Sequence, residues 1–182
     1  MAACALAAAG LLAPVLAACG GSVAPASGPA PKPQGSSAHS SASSLTAGVG
    51  QGFKVTSTSG SKYDVRLTKV IDPAQGADSF TTPDAGKRFV GAVFTIKGVK
   101  GDSSDDANND ATLIGSNGQT YTADFDSIAG YTNFNSGDFN AAPGALQVGA
   151  VTFQVPTGVK VAEIQWSATG GFGGAPGTWK VK

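Results

Sequence analysis

Phe89-Val90-Gly91-Ala92-Val93-Phe94-Thr95-Ile96-Lys97-Gly98-Val99 is the longest apolar stretch of the sequence outside its first residues, and its pattern sets the expected architecture. In an extended chain successive side chains point to opposite faces, so Val90, Ala92, Phe94 and Ile96 share one face and Phe89, Gly91, Val93 and Thr95 the other. A strand that is apolar on both faces is expected to be central and covered on both sides.

The neighbouring segments have the same period. Upstream, Tyr63, Val65 and Leu67 alternate with Lys62, Asp64, Arg66 and Thr68, which describes a half-buried strand with one wet face. Val70 and Ile71 break that alternation just before Asp72-Pro73, predicting a bulge or a strand end. Pro73, Gly76, Pro83 and Gly86 mark the loop that follows. Downstream, Thr112 to Gly115 and Thr120 to Phe125 flank Ser116-Asn117-Gly118-Gln119, a hairpin signal because Asn and Gly tolerate positive φ. Val148 to Val155 predicts a strand with Val151, Phe153 and Val155 inward, stopped by Pro156. Val159 to Trp166 and Thr178 to Val181 complete the set, separated by Gly170-Gly171-Phe172-Gly173-Gly174. Short strands at regular spacing, without helical periodicity, predict an all-β, antiparallel β-sandwich of about 7–8 strands.

Pro83-x-x-Gly86-x-x-Phe89 leading into a strand, then Asn117-Gly118-x-x-Tyr121, then Pro143-Gly144 followed by Gly149-x-Val151-x-Phe153-x-Val155-Pro156, resembles a known pattern. It is similar to the single immunoglobulin-like (telokin-like) domain of unknown function in Gram-positive, actinobacterial surface lipoproteins, and more distantly to a mycobacterial secreted immunoprotective antigen. The resemblance covers about residues 52–182 and implies an immunoglobulin-like sandwich. Its motifs are turn and core residues, so it implies no catalytic residue. The Cys and Trp pin of antibody domains is absent.

Ahead of that domain the composition changes. Residues 20–50 are dominated by Ser, Ala, Pro and Gly, which cannot offset the entropy of ordering a backbone, and a disordered linker is expected over 19–51. Its flexible-chain reach is about 30 Å. Residues 1–18 are Ala-rich, with an apolar run too short to span a bilayer, which predicts a signal peptide. The run ends in Leu16-Ala17-Ala18-Cys19 followed by Gly20 and Gly21, and this resembles the lipobox of bacterial lipoproteins. That resemblance implies cleavage before Cys19, lipidation of its thiol by a diacylglyceryl group, palmitate in the mature protein, and a location on the outer face of the cell membrane. No Lys or Arg precedes the run, although export signals normally begin with positive charge, so the assigned start is expected to lie downstream of the natural one.

Charge and reactive groups exclude much. Lys plus Arg and Asp plus Glu are 12 each, and no basic stripe points to nucleic acid. The two cysteines are Cys4, in the predicted signal, and Cys19; the only histidine, His39, lies in the linker. The domain therefore has no disulfide, no Cys-ligated zinc and no Cys or His to serve as nucleophile or base.

Three segments offer chemistry. Asp102, Asp105, Asp106, Asn108, Asn109 and Asp110 gather hard oxygen donors suited to calcium, although Ala111 and Asn117 stand where an EF-hand needs Gly and Glu. The alternative is a solvated loop, since Asp and Asn bond their own backbone in turns. The loop with Phe125, Tyr131, Phe134 and Phe139, interleaved with Asp126, Asn133, Asn135 and Asp138, could hold a sugar or peptide, with Tyr131, Phe134, Asn135 and Phe139 as the candidates. The alternative is that these rings cap the open end of the sandwich. Asp124 and Asp126 are paired acids, but a glycosidase pair must face across a cleft. The Gly-rich run near Phe172 lacks the Lys and helix of a phosphate cradle.

The expectation is a lipid-anchored, extracytoplasmic, non-catalytic binding or envelope-interaction module. It would require no cofactor, and its partners would be the membrane and an envelope protein or glycan. The rivals are a calcium-dependent adhesion or structural module using 102–110, and an enzyme or enzyme inhibitor acting on envelope polymers.

Overall fold

The computed structural model describes residues 45–134, 136–171 and 175–182. The predicted signal peptide, Cys19, His39, most of the predicted linker and Asn135 lie outside them, as does the centre of the Gly-rich run.

Eleven strands appear among these residues, against the seven or eight expected. They are β1 (Leu45–Gly48), β2 (Gly52–Thr56), β3 (Lys62–Ala74), β4 (Lys87–Lys100), β5 (Ser103–Asp106), β6 (Ala111–Gly115), β7 (Thr120–Asp124), β8 (Asp138–Ala141), β9 (Leu146–Pro156), β10 (Val161–Trp166) and β11 (Gly177–Lys180). A one-turn helix α1 (Ala107–Asp110) and a 3-10 turn over Ala168–Gly171 are the helical elements among the described residues. The extra strands are four or five residues long, too short to show a period in sequence.

Nine strands form one sheet in the order β1-β11-β10-β6-β7-β9-β4-β3-β2, while β5 and β8 pair separately. β7 carries the sheet from one layer to the other: it pairs with β6 over Thr112–Ile114, then with β9 through Ala123 and Asp124. The sheet thereby folds on itself, a sandwich that is nearly a barrel. Its two ends approach each other, where the Phe53 ring of β2 lies 4.7 Å from that of Trp179 on β11. The pairing is antiparallel except for β1, which runs parallel to β11 from Leu45 opposite Gly177 to Gly48 opposite Lys180. This places residues 45–48, expected in the disordered linker, inside the fold.

β4 is the central strand that its sequence predicts, paired with β3 on one side and β9 on the other. Its inward face, Val90, Ala92, Phe94 and Ile96, is fully buried among residues of both layers. Phe94 meets Trp166 and Trp179, with ring centroids 4.9 and 5.8 Å away. Each large buried side chain of this kind contributes about 1.5–3 kcal/mol of transfer free energy. β3 continues through Asp72-Pro73 to Ala74 with register shifts between Leu67 and Lys69 and between Ile71 and Ala74, so the broken alternation marks bulges within the strand and not its end.

The outward face of β4 is covered along half its length. Phe89 and Val93 form a second, smaller core with Ala74, Ala150 and Ile128, against which Tyr131 packs. Gly91 makes this possible, because a Cβ there would stand 2.3 Å from Ile128 Cδ1. Beyond Val93 the cover ends, and Thr95 and Lys97 face outward.

Candidate functional site

Asp105, Asp106 and Asp110 each accept from amides of the fold, while the Asn108 side chain and Asp110 Oδ2 are buried without a hydrogen-bond partner. Asp106 caps α1, its Oδ1 accepting from Asn108 N–H at 2.8 Å and its Oδ2 from Asn109 Nδ2 at 3.0 Å. Asp105 Oδ2 accepts from Thr169 N–H at 3.0 Å, and Asp110 Oδ1 from Gly170 N–H at 2.8 Å. Thr169 and Gly170 are both left-handed, with φ of 59°, so the two carboxylates grip the consecutive amides of one tight turn. Asp102 stands apart: it is exposed, and its carbonyl accepts from Ser61 Oγ.

Of the predicted calcium set, Asp105, Asp106, Asn108 and Asp110 lie together on β5 and α1, while Asp102 is exposed ahead of β5. No group of three or more acidic, His or Cys side chains able to hold a metal occurs among the described residues. Asp110 is 1 % exposed. Burial pushes its carboxyl up to about 7; the Gly170 N–H pulls the other way, and the charges of Asp105 and Asp106 add to the rise.

The predicted aromatic site is dispersed as well. Phe139, on β8, is buried in the main core, 5.4 Å from the Tyr63 ring and 5.9 Å from Trp166, and is out of reach of any ligand. Phe134 is half-buried over Gly149, where a Cβ would stand 2.7 Å from its ring. Tyr131 packs on the second core. Phe139 belongs to the main core and Phe134 packs against it, and Asn135 is outside the described residues.

Two other rings are presented to solvent. Phe80 is 93 % exposed and Phe125 78 %, on loops that meet: Gly76 bridges Ile128, and Ala77 N–H donates to Ser127 O at 3.0 Å. Each ring sits inside a turn closed by an aspartate. Asp78 Oδ1 accepts from Phe80 N–H at 2.9 Å and from Thr81 N–H at 2.8 Å. Asp124 Oδ1 accepts from Asp126 N–H at 3.1 Å, across Phe125. Such side-chain turns fix a loop without a partner present.

Gln154 on β9 joins the two segments. Its Oε1 accepts from Asp84 N–H at 2.8 Å, and its Nε2 donates to Asp124 Oδ2 at 2.5 Å. Around it lies a polar groove of about 330 Å³ lined by Asp84, Lys87, Tyr121, Asp124 and Gln154. Four acids gather here, Asp78, Asp84, Asp124 and Asp126, of which Asp84 is paired with Lys87 at 2.8 Å. The Asp126 carboxyl is raised above its ordinary range, first by burial and then by the charges of Asp124, Asp78 and Asp84. The amides hold the Asp78 carboxyl below that range. This acidic pole with two projecting phenyl rings suits a cationic ligand with apolar groups beside its charge. Phe125 is one of the loop aromatics expected from the sequence, and Phe80 is not. The signal available was the Asp-x-Phe spacing at Asp78, whose side chain reaches two residues forward.

No protein-family model matches the chain, and no curated protein matches it by sequence. Among solved structures it is similar to MPT63, a secreted protein of Mycobacterium tuberculosis, with a TM-score of 0.57 at 17% identity over 78% of this chain and 100% of that one. It is also similar to the "putative lipoprotein (ycdA)" of Bacillus subtilis, with a TM-score of 0.50 at 11% identity over 72% of this chain and 38% of that one. At these identities the likeness shows the fold alone. It agrees with the distant resemblance read from the sequence.

Proposed function

We propose that this chain is an exported, lipid-anchored binding module that engages a cationic envelope partner through the acidic pole bearing Phe80 and Phe125. The observation that carries the reading is the exposure of these two rings on turns already closed by Asp78 and Asp124. Exposed aromatics on a pre-ordered loop bind at a smaller entropic cost than a loop that must order first. The carboxylates fit a non-catalytic role, since Asp105, Asp106, Asp110 and Asp124 are engaged by amides that fix turns. Export and anchoring draw support from the Leu16 to Cys19 motif and from the secreted and lipoprotein descriptions of the structural neighbours.

Two measurements test it. Cross-linking in intact envelopes, followed by pulldown, should recover a partner with the parent chain and lose it with Phe80→Ser/Phe125→Ser; equal recovery discards the site. Radiolabelled palmitate should enter the precursor and not its Cys19→Ser variant. Absence of label from both would discard the anchor and leave the site standing.

A further inference from the structure

The uncovered half of the outer sheet face carries charge of the opposite sign. Strand register places Lys54 of β2, Asp64 of β3, Lys97 of β4 and Leu146 of β9 in one row. Arg66, Thr95 and Val148 form the next row, and Lys62 lies directly opposite Lys100 at the end. Five basic side chains thus share a face with one acid. That acid, Asp64, is 3.6 Å from Lys54, and the pair leaves the four other cations of the face uncompensated by it. Placing Lys62 opposite Lys100 is unfavourable for a sheet by itself, because like charges in direct register repel.

Apolar side chains stand among these cations. Leu146 is 63 % exposed, Val148 53 % and Val99 48 %. The other layer differs: its outward pairs are neutral, such as Thr112 with Thr122 and Ile114 with Thr120, and its Lys180 is paired with Glu163.

We infer that this face docks on an anionic phospholipid surface. A soluble polyanion would be recognised by the lysines and Arg66 alone, and would give Leu146, Val148 and Val99 no reason to be outward. A bilayer uses both, as cations meet the headgroup charge while aliphatic side chains enter the interfacial layer. The attraction is charge complementarity, and it weakens with salt. The inference is independent of Cys19 and of the acidic pole.

The test uses the full chain carrying Cys19→Ser, so that no lipid modification contributes, and co-sedimentation with vesicles of phosphatidylglycerol and phosphatidylcholine or of phosphatidylcholine alone. Binding is expected to the anionic vesicles only, and to fall as salt rises. Lys62→Gln/Lys97→Gln should weaken it about 25-fold, about fivefold for each charge near the surface. Leu146→Ser/Val148→Ser should weaken it at unchanged charge. All four positions are exposed, and unchanged melting temperatures would confirm folding. No binding to the anionic vesicles, or equal binding to neutral ones, overturns the inference. So does full binding by the Leu146/Val148 variant, which would assign the face to an anionic polymer instead.

Discussion

The indole N–H of Trp166 donates to the hydroxyl oxygen of Tyr63 at 3.1 Å, a bond that crosses the interior from β10 to β3. Both residues are buried, and burial pushes the Tyr63 hydroxyl well above the ordinary phenol range. A buried donor deprived of its acceptor costs more than the bond itself contributed. Tyr63→Phe is therefore expected to lower stability by about 1–3 kcal/mol, read from urea unfolding. Adding Trp166→Phe should cost less than its own single effect, because it removes the donor already orphaned. Strict additivity would show that the two groups act separately.

Asp110 makes stability depend on pH in an unusual direction. Its native carboxyl titrates at about 7 against an ordinary 3.8, so the native state binds more protons than the unfolded chain between those values. Stability from this group is then fully present below about pH 4 and is lost as pH rises through about 7. Other groups face it: Asp105 and Asp106 from β5, and the Tyr63 hydroxyl from β3. Asp110→Asn keeps an oxygen for Gly170 N–H and removes the charge. The variant should melt higher than the parent at pH 8, by up to a few kcal/mol in stability, and show a flatter profile from pH 5 to pH 8. A parent profile that already lacks this fall would refute the assignment.

β1 sets the true start of the domain. Its pairing with β11 covers an edge that would otherwise be open, and Gln51 O accepts from the buried Trp179 indole at 2.8 Å. A chain beginning at residue 52, the boundary suggested by composition, loses both. Compared with one beginning at residue 40, it should be less stable by about 2–4 kcal/mol, from an orphaned indole and four lost strand residues. Amide exchange would be faster over 177–180. Equal exchange in the two chains would mean that β11 holds its place through β10 alone.

What was legible in the sequence follows from how far each signal reaches. β3, β4 and β9 run for 11 to 14 residues, long enough for alternation to declare both strand and face. β1 could not be seen: Leu45-Thr46-Ala47-Gly48 has no period of its own and is a strand because β11 lies beside it. The same holds for β8, which takes Phe139 out of the predicted binding loop and into the core. Oxygen donors at 102–110 were recognisable as turn or ligand residues, but which amides they serve depends on the 168–171 turn, some sixty residues away. Phe80 carries no signal of its own in the sequence, because a solitary exposed ring differs from a core ring only in its surroundings.

Gln154 is the residue on which the alignment of the acidic pole depends. It stands on β9, a rigid strand of the sandwich, and its amide group joins Asp84 on one loop to Asp124 on the other. Gln154→Ala removes both bonds without touching the core, for a stability loss of about 1–2 kcal/mol. The loops should then exchange amide protons faster at Asp84 and Asp126, and the partner captured through Phe80 and Phe125 should be recovered less well. Gln154→Glu is the sharper variant. It places a carboxylate against Asp124 in an already acidic region, so its loss of stability should exceed that of Gln154→Ala at pH 7 and shrink at pH 4, where protonation restores a donor. Variants that match the parent in exchange and capture would mean that each turn is held by its own aspartate, with β9 adding no alignment.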